Sequence, residues 1–221
     1  MGKTLLPVIV LFLCALYLHH SGFRWFDSRP RATRLSTEII DPAQGPVQEN
    51  FALEDQVVIT KMVEGHPAHL TPRAHYKIAG RVVSKRHYHN SWQDKLSPVD
   101  LALGWGPMAS DQYDEFISYR HSHRYYSYSY SHRFPHHANV IAFNSANEHL
   151  IPANRHIEKA LKSIKVGEII ELEGLLVDVE GNGNKPEKVI FKTSLTREDK
   201  GAGACEVIYV TKVRIKNEVF E

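Results

Sequence analysis

The sequence predicts a mainly β domain with two short helices, a small bent sheet carried behind an N-terminal transmembrane helix. Three observations predict it. Residues 168–179 alternate through Ile169, Glu171 and Glu173 before turning apolar, and 205–215 reads as a strand with Val207, Tyr209, Thr211, Val213 and Ile215 on one face and Glu206, Ile208, Val210, Lys212 and Arg214 on the other. Helical spacing is confined to short stretches, best marked at Ile157, Ala160, Leu161 and Ile164. The run Leu5–Leu18 is apolar apart from Pro7 and the semi-polar Tyr17.

The anchor comes first. Leu5–Leu18 as a helix spans about 21 Å, short of the roughly 30 Å hydrocarbon core, and Phe23, Trp25 and Phe26 extend it far enough. Tyr17 and Trp25 suit the membrane interface. Leu18, His19, His20, Ser21, Gly22 and Phe23 give no small-residue cleavage site, and no small residue directly precedes Cys14, so residues 5–26 are expected to stay attached. Lys3 before the run against Arg24, Arg29, Arg31 and Arg34 after it favours a cytoplasmic domain by charge alone. A short basic N-terminus before a single apolar run is, however, the layout of a signal-anchor. The expectation is a single-pass protein of a bacterial-type inner membrane, its domain on the outer, periplasmic face.

Residues 1–26 are therefore read as anchor, 27–50 as a linker rich in Pro and polar residues, and 51–221 as one β-rich domain. Within it, Gln56–Thr60 is a β-rich run and Gly65–Pro72 a loop. Tyr76–Tyr88 is a long strand bent at Gly80. Ser97, Pro98, Val99 and Asp100 carry the capping hydroxyl, early Pro and early carboxylate of a helix start, stopped by Gly104, Gly106 and Pro107. Ile157–Ile164 is the second short helix, ended by Gly167. Glu168–Val179, a turn at Gly181–Asn184, Lys188–Thr193 and Cys205–Ile215 complete the sheet.

One pattern recurs. Lys77–Val83 and Glu171–Val177 each set a central glycine, Gly80 or Gly174, before an apolar run. A glycine inside a strand lets it coil sharply, as small closed barrels need. The second copy, after a short helix and a Val-Gly-Glu turn, resembles the strands of OB-type barrels. That resemblance covers about thirty residues and implies an OB-like barrel.

Composition excludes some functions. With 27 basic and 25 acidic side chains, the formal charge of +2 argues against a protein that works by coating nucleic acid. Cys205 has no partner within the domain, so no disulfide framework exists. Histidine is enriched: 14 in all, 12 of them from His66 to His156.

The candidate sites follow from those residues. His87 and His89, two apart on a strand, would face one way, and Asp94 or Asp100 could complete a divalent transition-metal site. The His- and Tyr-rich segment Tyr119–His137, with His121 and His123, suits weak metal capture, stacking on a ligand, or a plain hairpin. Trp105 between Gly104 and Gly106 either contacts a ligand or plugs the sheet. Ser145, Glu148 and His149 lie in a polar segment that acid–base chemistry or a turn could use. Cys205 follows a Gly-Ala-Gly-Ala stretch and is either a nucleophile with His149 as its base or a small buried hydrophobe. Two functions remain: a membrane-tethered binding or assembly module for a protein or cell-envelope partner, or a hydrolase-like enzyme using a His-based metal or the Cys205–His149 pair. Convergence of His87, His89, Asp100, His149 or Cys205 in one pocket would favour the enzyme.

Overall fold

The computed structural model describes residues 30–183, 188–199 and 201–221. The expected anchor, residues 5–26, lies outside them, as does Asn184 of the turn expected at 181–184. Among the described residues no helix is long and apolar enough to cross a membrane.

The described strands, in chain order, are β1 (Arg34–Leu35), β2 (Val47–Asn50), β3 (Ile59–Val63), β4 (His66–His87), β5 (Val99–Gly104), β6 (Ile117–Ser122), β7 (Tyr125–Tyr130), β8 (Ser145–Pro152), β9 (Ile169–Gly181), β10 (Val189–Phe191), β11 (Glu206–Ile215) and β12 (Glu218–Phe220). The α-helices are α1 (Trp92–Leu96), α2 (Asn139–Phe143) and α3 (Arg155–Ser163).

Five strands close on one another. The 22-residue β4 pairs antiparallel with β9 along one edge and with β5 at its C-terminal end. β5 pairs antiparallel with β8, β8 parallel with β11, and β11 antiparallel with β9, which completes the ring. Alternate residues point inward and form the main core: Tyr76, Ile78, Leu101, Leu103, Leu150, Leu172, Leu176 and Ile208 among them. Helix α3 adds Ile157, Ala160 and Leu161, all fully buried, to that same core. Asn154 caps the helix, its side chain accepting from the N–H groups of His156 and Ile157 at 2.9 Å each.

Both glycines of the repeated pattern sit where backbones approach closely. A Cβ at Gly174 would lie 2.1 Å from the Tyr209 carbonyl oxygen, and one at Gly80 would lie 3.1 Å from that of Gly104. The register of β11 against β9 shifts between Val210 and Lys212. This bulge breaks the simple alternation expected over Cys205–Ile215, so Ile208 and Val210, then Val213 and Ile215, all reach the core.

Four sequence expectations are corrected. The stretch after Ser97 is a fully buried strand, β5, because Leu101 and Leu103 alternate about Ala102 and fill the core. The capped helix lies just before it: in α1, Ser91 accepts from the Asp94 N–H and Asp94 accepts from that of Ser91, so Ser97 ends a helix rather than starting one. Residues 66–72 are strand rather than loop. Glu64 and Gly65 make the turn with positive φ, and Pro72 is accommodated at a register shift in the pairing with β9. Three α-helices, not two, are present among the described residues.

The stretch expected as a linker carries structure of its own from Arg31, where the compact unit Arg31–Glu221 begins. β1 pairs with β12, β2 pairs with β4, and the buried Arg214 guanidinium donates to the carbonyls of Glu38 and Ile39.

Candidate active site

The register of three adjacent strands decides what meets on the outer face of the ring. Asp100 on β5 lies directly opposite His149 on β8, and Ala102 opposite Asn147. Val207 on β11 is the parallel partner of His149, so Cys205, two residues earlier, shares its face. The inward positions between them, Leu101, Glu148 and Glu206, are all fully buried. Asp100, Asn147, His149 and Cys205 therefore form one patch drawn from residues far apart in sequence.

His149 Nδ1 lies 3.0 Å from Asp100 Oδ1, although its N–H does not point straight at that oxygen. Cys205 sits diagonally across from the ring beside the neighbouring strand, near enough for its sulfur to act on the ring's charge, and both residues line one cleft. Burial opposes a charge on this imidazole. The Asp100 carboxylate and the Cys205 sulfur outweigh it and push the ring up to about 9. Cys205 is a half-buried free thiol.

A second arm holds Asp100 from the other side. The β6–β7 hairpin turns through His123 and Arg124, both with positive φ, as a two-residue turn of this kind needs and as neither side chain prefers. The Arg124 guanidinium donates to Asp100 Oδ1 at 2.9 Å, to Asp94 Oδ1 at 2.7 Å and to the Ser97 carbonyl at 2.9 Å. It also lies 4.0 Å from the centre of the Tyr88 ring, whose hydroxyl accepts from the Arg124 backbone N–H. Burial works against the Asp94 charge, but Arg124 and the N–H groups of Ser91 and Asn90 hold that carboxyl below its usual range. One guanidinium thus ties α1, β5 and the hairpin together beside His149.

Asn147 flanks the sulfur opposite His149. Its Nδ2 donates to Cys205 Sγ at 3.4 Å and to the Arg124 carbonyl at 3.1 Å. Its Oδ1 lies 2.8 Å from His121 Nε2, and His121 Nδ1 lies 2.7 Å from the Ser84 hydroxyl. The sulfur opens into a cleft of about 490 Å³ whose walls include Tyr88, Tyr125, Ile190, Phe191 and Lys192.

The other candidates lie elsewhere. His87 pairs opposite Val99, so it takes the face of the sheet away from Asp100, and burial, with Lys85 and Lys162, holds its ring below the ordinary value. His89 lies beyond the end of β4. Among the described residues, no three His, Cys, Asp or Glu side chains are grouped to hold a metal ion. Trp105 is 3% exposed within the main core. His121 is buried in the Asn147 contact, and His123 is exposed at the hairpin turn on the cleft wall. Ser145 accepts from the Tyr126 hydroxyl and donates to the Ile141 carbonyl.

Asn147 and Arg124 are the site residues the sequence did not reveal. Asn147 and His149 are two apart and would have been found by reading 145–152 as a strand, but its polar residues resemble a turn. Nothing local in the sequence marks Arg124. No protein-family model, curated protein or solved structure matches this chain.

Proposed function

We propose that the domain is a cysteine-dependent hydrolase or acyl-transfer enzyme, held by residues 5–26 on the outer face of a bacterial-type inner membrane. The observation that carries the proposal is the His149 ring lying between the Asp100 carboxylate and the Cys205 sulfur at the edge of a cleft. A nucleophile beside an imidazole that a carboxylate orients is the recurrent arrangement of covalent catalysis. In this reading Cys205 attacks as the thiolate with the His149 imidazolium as counter-ion, and His149 then protonates the leaving group. Asp100 fixes the ring, and Arg124 fixes Asp100.

The scaffold reads as an OB-like barrel. Counting the ring strands in chain order, the first pairs with the second and fourth, the third with the second and, in parallel, with the fifth. Helix α3 lies between the third and fourth. That order looks like the five-stranded OB barrel, though a fold alone assigns no chemistry.

Iodoacetamide labelling of the full-length protein at pH 7 tests the enzyme reading. Cys205 should label at least about tenfold faster than a free thiol of ordinary reactivity. His149→Ala should remove the advantage, and Cys205→Ala should remove the fast label and leave only that of Cys14. Slow native labelling that denaturation accelerates would instead make Cys205 a packed side chain.

A second reading, a tethered binding or assembly module, is favoured by one observation. An apolar groove of about 800 Å³ runs past Leu35, Ile39 and Ile169, all three exposed. The slow-labelling outcome would support it.

A further inference from the structure

We infer that Asn147 is the oxyanion donor of this site, so that its electrophile is the carbonyl carbon of an ester, thioester or amide. The inference rests on the reading of Cys205 as nucleophile and names what that nucleophile attacks.

The hydrogen bonds fix which way the Asn147 amide points. The Arg124 backbone carbonyl can only accept, so the group 3.1 Å from it is the NH₂ end. Oδ1 must then face His121, whose Nε2 has to carry a hydrogen to donate across the 2.8 Å contact. Burial lowers the proton affinity of the His121 ring, more than the Asn147 contact raises it, which keeps the ring neutral. Its Nδ1 is then an acceptor, and the Ser84 hydroxyl 2.7 Å away supplies the hydrogen. Ser84, His121 and Asn147 thus form a directed chain, with each donor forced by the next acceptor. Its last member presents one N–H to the Cys205 sulfur.

That position is the one an oxyanion would use. His149 and Asn147 project from one face of β8, two residues apart, with the sulfur beside the neighbouring strand in contact with Asn147 and lining the same cleft as His149. When the Cys205 thiolate adds to a carbonyl carbon, a C–S bond forms and the carbonyl π pair moves to oxygen. The His149 imidazolium lies on one side of that centre and the Asn147 amide on the other. The N–H that donates to sulfur at rest is released as the sulfur loses its charge, and without rotating it is left for the new oxyanion beside it. Collapse re-forms the carbonyl, breaks the bond to the leaving group, and passes the His149 proton to the departing oxygen, sulfur or nitrogen. Water, activated by the now neutral His149, adds to the thioester through a second oxyanion at the same place. Its collapse releases the acid and returns the proton to His149 and the charge to Cys205. A thiol that only exchanged disulfides would form no charged oxygen and would have no use for a locked amide there.

Two reagents separate these roles on the full-length protein. p-Nitrophenyl acetate acylates the thiol through an oxyanion, whereas iodoacetamide alkylates it by displacing iodide and forms none. In Asn147→Ala, the ratio of the acylation rate to the alkylation rate should fall about 100-fold, and Asn147→Ser, which keeps a donor, should recover part of it. His121→Ala leaves the amide in place but frees its rotation. The same ratio should fall there by less, which tests the claim even if Asn147→Ala does not fold. Equal losses with both reagents, or an unchanged ratio in both variants, would overturn the assignment of Asn147 while leaving Cys205 as nucleophile. A wild-type thiol slow with both reagents would overturn the underlying reading as well.

Discussion

His149 carries a pH dependence whose sign is fixed by its surroundings. Its ring is raised from the ordinary 6.5 to about 9, because Asp100 and Cys205 together outweigh burial. A group that holds its proton more tightly in the fold stabilises the fold while that proton is bound. The contribution is therefore complete below about pH 6.5 and disappears as pH rises through 9, and is of the order of 3 kcal/mol. Urea denaturation of the wild type should lose that much against His149→Gln between pH 6 and pH 10. Parallel stability curves for the two proteins would show that the ring gains nothing from its neighbours. Glu148, on the inward side of the same strand, behaves in the same sense. Burial, against weaker opposition from Arg197 and His149, pushes it up to about 7, so its ionisation also works against the fold as pH rises. Glu148→Gln should therefore raise the melting temperature at pH 8 more than at pH 4.

At the scale of elements, the closing of the ring depends on a glycine. Gly174→Ala would drive a methyl group into the Tyr209 carbonyl at the β9–β11 crossing, where backbone rather than a flexible side chain is the obstacle. A loss of about 3 kcal/mol or more is expected, read as a fall in the denaturation midpoint. The sequence made this element legible, because Gly80 and Gly174 sit at the centre of a visible repeat. It also marked β9, β11 and α3 as elements, although the bulge in β11 moved its buried residues off the alternation the sequence suggests. β5 and β8 were harder to read. Ser97 and Pro98 imitate a helix start although they end the preceding one, and β8 carries polar residues on both faces, one set inside the ring and one in the site. The pair Cys205 and His149 was legible as a possibility from residue type alone. Their meeting, and the recruitment of Asp100 to His149 rather than to His87 and His89, depends on strand register, which no local pattern states.

For the molecule as a whole, the first fifty residues are the clearest test. The full-length protein should sediment with membranes and resist carbonate and high salt. Recovery of a soluble form shorter by roughly twenty residues would overturn the expectation of an uncleaved anchor. A chain beginning at Arg31 retains β1, β2 and the contacts of Arg214 with Ser36, Glu38 and Ile39. A chain beginning at Phe51 strips a 4% exposed guanidinium of those partners and uncovers β12, so it should melt at least about 5 °C lower.

The parallel pairing of β8 with β11 has a consequence for synthesis. His149 is made long before Cys205, and the strand that Cys205 opens is the one that completes the ring by joining β8 to β9. Until that strand has left the ribosome and docked, His149 faces no sulfur and Cys205 no imidazole. On the proposed function, the thiol is thus unarmed while the chain is still being made. Its proposed reactivity then begins only once β11 joins β8 to β9, so the labelling rate of Cys205 should report the fraction of molecules whose ring has closed.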